Sequence, residues 1–333
     1  MKPLILITFS LFLISCNNTQ HIKTASKEVP TNSEITFKKG TVVPVAPALF
    51  SQFTNVRDFT ITPQENEAYF TILSPLGELS VIMRIQKENN AWNEPKIASF
   101  SGRYTDLEPF LSPDGLKLYF ASNRPISKDS TTVKDFDIWY VEREKINSKW
   151  SQPINIGAPV NSSYDEFYPS ITQSNNIYFT AIKDGMNGQD DIFKSEWNNN
   201  GYEAPKALGT GVNTKGAEFN AFVAPDESYI LFSGWRRKDG VGSADLYIST
   251  YKNDEWQPAT NLGVEINSKY IDYCPFVNTE TGTLYFTSRK SNIDKKENGY
   301  FKFDELMTEI NRYDNGSSRI YMTDLNSLIS VSD

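Results

Sequence analysis

The chain has almost no histidine and very little cysteine. Of its 333 residues, one is histidine and two are cysteine. His21 lies in a polar stretch without an apolar period, so a mechanism that needs a positioned imidazole is close to excluded. The sequence also has no glycine-rich phosphate loop, no serine nucleophile elbow and no His/Cys cluster with metal-ligand spacing. Acidic side chains are therefore the main candidates for chemistry.

Basic residues are scarce relative to acidic ones. Lys and Arg total 33 against 41 Asp and Glu, which gives a formal net charge of −8. Binding to nucleic acid depends on neutralising phosphates with Lys and Arg. We therefore expect no nucleic-acid partner.

A hydrophobic run long enough to span a membrane is missing from the N-terminal region. The apolar stretch at residues 4–14 is shorter than the roughly 20 residues that a bilayer-spanning helix needs. Lys2 precedes this stretch and Leu13-Ile14-Ser15-Cys16 ends it, which is typical of an export signal. The ending resembles the lipobox of bacterial lipoproteins, and the resemblance implies cleavage before Cys16 and attachment of lipid to its thiol. An ordinary secretory signal with an incidental cysteine is the alternative.

The leader predicts the organisation of the whole chain. We expect a signal peptide at residues 1–15, a flexible tether from lipidated Cys16 at residues 16–40, and one domain at residues 41–333. No Asp follows Cys16, a feature that commonly accompanies sorting to the outer membrane. The expected location is the bacterial cell envelope, with the lipid-anchored domain on the periplasmic or the surface face. Cys274 then has no disulfide partner, and its apolar neighbours predict a small buried side chain.

An aromatic pair recurs about every 50 to 60 residues through the predicted domain. Its copies are Tyr69-Phe70, Tyr119-Phe120, Tyr178-Phe179, Leu231-Phe232 and Tyr285-Phe286. A period of this size suits a four-stranded sheet, the unit of a β-propeller. The fifth copy has no outer strand of its own, but residues 43–50 have the matching proline-spaced apolar form. We therefore predict an all-β, five-bladed propeller closed by an N-terminal strand, with six blades as the alternative.

The repeated phrases resemble those of a known family. The stretch 109–124, with Ser112-Pro113-Asp114-Gly115 before Leu118-Tyr119-Phe120, is similar to the WD-like repeats of TolB-type propellers. The resemblance covers roughly residues 45–325 and implies the fold. Propellers of this kind bind proteins, bind glycans or serve as enzyme domains, so the resemblance leaves the function open.

One end of the predicted ring carries the long loops. They span residues 125–136, 183–190, 236–244 and 290–318, and the last one contains a possible helical turn at residues 305–310. The opposite end has tight turns of the Pro-Asp-Gly type. Asymmetry of this kind usually marks the side on which a propeller works.

Acidic residues recur at the start of the predicted innermost strands. They are Asp106, Glu166, Glu218 and Asp272, with Asp58 approximately placed in the first copy and Glu108 as an extra carboxylate in the second. We expect these residues to surround the mouth of the central channel at the loop-rich end. Trp235 lies outside the repeat pattern on the same side and is a candidate to stack on a ligand.

Three hypotheses account for the acids. They could be structural, paired between neighbouring blades with the basic residues Arg124, Lys183, Arg236 and Arg289. They could capture Ca²⁺ or a basic ligand. They could also cleave glycosides, which requires two carboxylates in different environments. Tryptophans near the outer strands (Trp92, Trp150, Trp197 and Trp256) could likewise pack between blades or stack on sugars.

The sequence thus favours a membrane-anchored binding or scaffolding propeller of the cell envelope, which recognises a protein segment or a glycan on its loop-rich face. We expect a monomer that is not an enzyme and needs no cofactor, calcium being the one considered. The alternative is a glycosidase that uses the carboxylates at the channel mouth (Asp106, Glu108, Glu166, Glu218 and Asp272).

Overall fold

Five antiparallel sheets form a closed ring. The computed structural model describes residues 41–127, 129–182 and 189–326. The innermost strands of successive sheets contact one another in order, and the last contacts the first. The all-β, five-bladed prediction is confirmed, and the six-blade alternative is wrong. The predicted signal peptide, Cys16 and the tether lie outside the described residues, as does Lys183.

The chain enters through a short strand and one helical turn, and then builds the blades in order. The entry elements are β1 (Val43–Pro44) and α1 (Pro47–Phe50). Blade 1 contains β2 (Asn55–Ile61), β3 (Glu67–Leu73), β4 (Ser80–Glu88), β5 (Ala91–Trp92) and β6 (Lys96–Ile97). Blade 2 contains β7 (Asp106–Leu111), β8 (Lys117–Ser122), β9 (Asp137–Glu142) and β10 (Ile154–Asn155). Blade 3 contains β11 (Glu166–Ile171), β12 (Ile177–Ala181), β13 (Asp191–Ser195) and β14 (Lys206–Ala207).

The remaining blades follow the same plan. Blade 4 contains β15 (Glu218–Val223), β16 (Tyr229–Trp235), β17 (Ala244–Lys252), β18 (Glu255–Trp256) and β19 (Thr260–Asn261). Blade 5 contains β20 (Asp272–Asn278), β21 (Thr283–Ser288) and β22 (Arg319–Asp324). A helix, α2 (Phe303–Ile310), lies in the loop before β22, where the helical turn was predicted. Over the described parts of the chain, no helix is long and apolar enough to cross a membrane.

The N-terminal strand closes the ring as predicted, although it is shorter than expected. Val43 of β1 pairs with Met322 of β22, so β1 is the outer strand of blade 5. The predicted strand covered residues 43–50, but the strand ends at Pro44, and the Val45 N–H makes one more backbone hydrogen bond, to Ile320, before Pro47 begins α1. Ala46 has a left-handed backbone with φ of 37°, which turns the chain out of the strand. The rest of the segment buries Phe50 in the core instead.

The recurrent aromatic pairs form the packing between blades. Successive residues of a strand point to opposite faces of the sheet, so each pair packs against both neighbouring blades. The second residue of every pair is at most 1% exposed; these residues are Phe70, Phe120, Phe179, Phe232 and Phe286. Cys274 is a free thiol and is buried, as the sequence predicts. Apolar burial rather than a covalent link therefore holds the described blades together.

Candidate functional site

Every innermost strand is interrupted by one residue with a left-handed backbone. These residues are Asp58, Glu108, Tyr168, Asn220 and Cys274, with φ between 48° and 59°. The pairing with the second strand of each blade shifts its register at the same place. A positive φ is uncommon outside glycine, and a bulge bends the strand and redirects a side chain. Since all five blades share the bulge, it belongs to the architecture of the channel. We call these five residues the axial set.

Contacts across the ring show that the axial set meets at the propeller axis. Asn220 of blade 4 donates to Glu108 Oε1 of blade 2 at 3.4 Å, although these two blades are not neighbours. The hydroxyl of Tyr168 in blade 3 donates to the carbonyl oxygen of Pro275 in blade 5 at 3.0 Å. Such contacts are possible where the five innermost strands converge.

Arg57 provides the positive charge of this polar centre. Its Nε donates to Asp58 Oδ1 at 2.7 Å, and its Nη2 donates to Glu108 Oε1 at 2.7 Å. The guanidinium also lies 5.2 Å from the centre of the Tyr273 ring. One arginine therefore balances two buried carboxylates, which are 1% and 4% exposed.

The pKa of Glu108 is higher than that of a carboxyl in water, so its neutral form is favoured. Burial is the largest influence and raises the pKa of this carboxyl to about 7. The guanidinium of Arg57 lowers the pKa and the charge of Asp58 raises it, so burial and like charge prevail. Burial also raises the pKa of the Cys274 thiol, which favours its neutral form.

Aromatic rings close the channel on the other side of the axial set. The ring centres of Phe110, Phe222 and Phe276 lie 5.5 to 6.2 Å apart. Beyond them, at the tight-turn end, lies a cavity of about 40 Å³. The axial set is therefore approached from the loop-rich end.

A cavity of about 580 Å³ opens above the axial set, and we call it the funnel. Its wall includes the residues that immediately precede the axial set in each strand: Arg57, Leu107, Phe167, Phe219 and Tyr273. Phe136, Trp235, Ile271 and Arg289 extend this wall outward, and Glu108 and Asn220 belong to its floor. The volume falls within the range of about 300 to 1,000 Å³ typical of ligand sites. Trp235 thus lies where a ligand could contact it.

The four repeated acids lie away from the funnel. Asp106, Glu166, Glu218 and Asp272 are each 0% exposed, and none of them is among the described residues that line the cavity. Each begins its strand, two residues before the bulge, and the axial set occupies the position we expected for them. Asp58 was predicted to be the first-blade counterpart of these four acids. The strand register instead makes it the equivalent of Glu108, so it belongs to the axial set.

The partners of these acids are those of structural groups. Asp106 accepts hydrogen bonds from Arg124 at 2.5 Å and from Ser122 at 2.6 Å, both in its own blade. The other three acids accept the backbone N–H of the residue four positions earlier; the donors are Ser162, Thr214 and Ser268. By these hydrogen bonds the carboxylates of Glu166, Glu218 and Asp272 stabilise the loop that precedes each innermost strand.

The basic residues that we expected to pair with the acids behave differently from one another. Arg124 pairs with Asp106, as the structural hypothesis predicts, but it does so within one blade. The cation nearest to Glu218 is Arg237, at 3.7 Å, rather than Arg236. Arg289 lies in the wall of the funnel. Over the described residues, no group of three or more His, Cys, Asp or Glu side chains is placed to hold a metal ion.

The sequence reasoning missed the polar members of the channel. Tyr168, Asn220 and Arg57 were not singled out, and Cys274 was predicted only as a small buried side chain. A signal existed, since three axial residues (Glu108, Tyr168 and Cys274) directly precede a proline. Proline has no N–H for the ladder and within a sheet is found at edges or bulges, so this recurrence could have marked the irregular position.

Comparison with known proteins finds distant structural likenesses alone. No family model matches the sequence, and no curated protein matches it. Among solved structures, TolB from Acinetobacter baumannii is 13% identical with a TM-score of 0.43, and the match covers 71% of this chain and 49% of TolB. An α-L-arabinofuranosidase from Lactobacillus brevis is 15% identical with a TM-score of 0.48, covering 85% of this chain and 91% of the enzyme. The catalytic domain of a GH62 α-L-arabinofuranosidase from Coprinopsis cinerea is 10% identical with a TM-score of 0.48, covering 81% and 90%. Likenesses this distant say nothing of the activity of this chain.

Proposed function

We propose that this chain is a binding propeller of the bacterial cell envelope and that its funnel takes up an extended segment of a partner protein. The observation that carries the proposal is the distribution of side chains in the funnel. Eight of the described lining residues are aromatic or aliphatic, and the polar ones include Glu108 and Asn220 on the floor and Arg57, Asp190 and Arg289 in the wall. Sites of this kind bind an apolar group and orient it through a few polar contacts.

The apolar part of the wall suits a side chain of a protein segment. Leu107, Phe167 and Phe219 have no side-chain hydrogen-bonding group, so an aliphatic or aromatic side chain of a peptide can be buried against them without leaving a polar group unpaired. Arg57 in the wall and Asn220 on the floor can pair with backbone groups of the same segment.

A lipid on Cys16 would hold the propeller at a membrane through the tether of residues 16–40. Each buried CH₂ group of an acyl chain contributes about 0.8 kcal/mol, so two or more chains anchor a protein firmly. The Cys16→Ala variant should therefore move from the membrane fraction to the soluble fraction of cells. A variant that stays in the membrane fraction would contradict lipid anchoring while leaving the funnel untouched.

Peptide binding can be tested with a phage-displayed library of random linear peptides. Selection on the immobilised protein should enrich peptides with an aromatic residue, and these should bind the Trp235→Ala variant at least about tenfold more weakly. Tyr251→Ala is the matched control, because Tyr251 is a partly exposed aromatic residue on the outer part of blade 4, away from the funnel. Peptides that bind wild type and Trp235→Ala equally would contradict the proposal.

A glycosidase remains the second candidate because of the carboxylates in the axial set. Glu108, with its pKa raised to about 7, would be protonated often enough to act as an acid beside Asp58. It ranks second because both carboxylates share the guanidinium of Arg57 and are nearly inaccessible. We expect no release of reducing ends from a panel of polysaccharides. Turnover that disappears in Glu108→Gln would reverse the ranking.

A further inference from the structure

A third cavity lies between blades 2 and 3, on the outer part of the ring. It measures about 360 Å³, and we call it the side cleft. Its lining includes Tyr140, Trp197, Tyr202, Asn175 and Lys117. It shares no described lining residue with the funnel. A ligand in the side cleft would therefore bind independently of one in the funnel.

The side cleft exists because the packing between these two blades departs from the repeat. At two equivalent boundaries, a tryptophan of one blade packs on the recurrent tyrosine of the blade before it. Trp150 donates through Nε1 to the Tyr69 hydroxyl at 2.7 Å, and the rings of Trp256 and Tyr178 are 6.4 Å apart. In blade 3 the matching position holds Tyr202, which lines the side cleft together with Tyr119 of blade 2. The smaller ring fills less of the boundary.

A second substitution at the same boundary removes a negative charge. In the turn between the first two strands, the residue with positive φ is Glu65 in blade 1 and Glu227 in blade 4. These carboxylates accept the hydroxyls of Tyr285 at 3.0 Å and Tyr178 at 2.6 Å in the preceding blades. Blade 3 has Asn175 at this position, exposed and with φ of 65°. The side cleft therefore presents an amide where the boundaries between blades 5 and 1 and between blades 3 and 4 have a carboxylate.

The displaced tryptophan of blade 3 forms one wall of the side cleft. Trp197 is 38% exposed and packs edge-on against Tyr202, with ring centres 5.0 Å apart. Its backbone N–H donates to the Asn176 side chain at 2.9 Å, and it forms a β-bridge with Tyr202. The indole is thus held in place before any ligand arrives, which lowers the entropy lost on binding.

We propose that the side cleft binds a neutral sugar ring of a glycan. The C–H face of a pyranose is weakly positive and suits the negative face of Trp197, whereas the Tyr140 ring already contacts the Lys117 ammonium, 5.0 Å from its centre. Sugar hydroxyls find donors and acceptors in the side chain of Asn175 and in the tyrosine hydroxyls. The charge of Lys117 is offset by Glu142, 3.8 Å away, so the lining does not select an acidic ligand. A purely apolar ligand would leave these polar groups unpaired.

The test uses the full chain and saturation-transfer NMR with methyl glycosides of glucose, galactose, mannose and N-acetylglucosamine, and with their trisaccharides. At least one should bind, and Trp197→Ala should weaken it about tenfold. Tyr251→Ala is the matched control, because Tyr251 packs edge-on against Trp256 with centres 5.1 Å apart, as Trp197 packs against Tyr202. Binding to this control should equal that of the wild type.

The second variant is designed to fill the side cleft with a larger side chain. Tyr202→Trp restores the residue found at two other boundaries, so it should keep the melting temperature and lose the sugar. The proposal is overturned if no sugar binds wild type with a Kd below about 10 mM, or if Trp197→Ala binds as well as wild type. Loss of sugar binding in Trp235→Ala but not in Trp197→Ala would place the sugar in the funnel and would equally overturn it.

Discussion

Glu108 Oε2 accepts the backbone N–H of Tyr168 at 2.7 Å, across the boundary between blades 2 and 3. At three other boundaries a threonine hydroxyl of the second strand accepts the equivalent N–H of an axial residue; these threonines are Thr71, Thr180 and Thr287. In blade 2 the residue at that register is Ala121, which has no hydroxyl. The carboxylate of Glu108 thus replaces a structural hydroxyl, in addition to pairing with Arg57.

Removing this carboxylate should destabilise the protein, and restoring the hydroxyl should offset part of the loss. Glu108→Ala leaves a buried N–H without an acceptor and Arg57 with one partner fewer, so we expect a loss of about 2 to 4 kcal/mol. In an Ala121→Thr background the same change should cost about 1 kcal/mol less, because the threonine accepts the Tyr168 N–H. Denaturant unfolding of the four proteins gives the coupling energy. Equal losses in both backgrounds would show that Glu108 does not stand in for the hydroxyl.

Periodicity and turn chemistry allowed most of the fold to be predicted. The aromatic pairs had to be buried between sheets, and a fifth copy without an outer strand required one from elsewhere in the chain. Val43 does pair with Met322, as that reasoning requires. The length of β1 was missed because the spaced prolines were read as marks of an edge strand, whereas the left-handed backbone of Ala46 ends the strand and Pro47 begins α1.

The channel was harder to predict because the bulge changes which residue reaches the axis. With regular strands, the acid that begins each strand was expected to face the mouth. The positive-φ residue two positions later takes that place, so Asp106 is buried at the start of its strand and Glu108 reaches the axis. The bulge depends on contacts among all five blades. The sequence of a single repeat gives little indication of these contacts.

The raised pKa of Glu108 predicts a particular dependence of stability on pH. The folded protein holds a proton on this carboxyl up to about pH 7, while the unfolded chain releases it near its ordinary value of 4.5. Between these values the folded state binds more protons, so stability falls as pH rises, by a few kcal/mol at most. The difference in unfolding free energy between wild type and Glu108→Gln should therefore decrease from pH 4.5 to 7. A difference that stays constant across this window would contradict the raised pKa.

Glu227 provides a control because its pKa is shifted in the opposite direction to that of Glu108. Burial raises the pKa of this carboxyl, but hydrogen bonds from Tyr178, Lys194 and Asn176 outweigh burial and bring it to about 2. Its contribution to stability is therefore present above pH 4.5 and is lost as pH falls towards 2. The difference between wild type and Glu227→Gln should shrink below pH 4.5 and stay level between 4.5 and 7.

Closure of the ring should depend on Phe50 more than on the two-residue strand that precedes it. Phe50 is 0% exposed, and its ring lies 4.9 Å from that of Phe70 and 6.3 Å from that of Phe59, both in blade 1. Phe50→Ala should cost about 3 to 5 kcal/mol through lost burial and the cavity left behind.

The same variant should loosen blade 5 locally, since α1 holds β1 against β22. Hydrogen exchange of the β22 amides should therefore accelerate more than that of the innermost strands of blades 2 to 4. Phe301→Ala is the control, because this phenylalanine is 89% exposed and should change neither stability nor exchange. If Phe50→Ala lowered protection equally in all blades, the N-terminal segment would be an ordinary part of the core. Faster exchange confined to β22 would instead show that the N-terminal segment holds the last blade to the first.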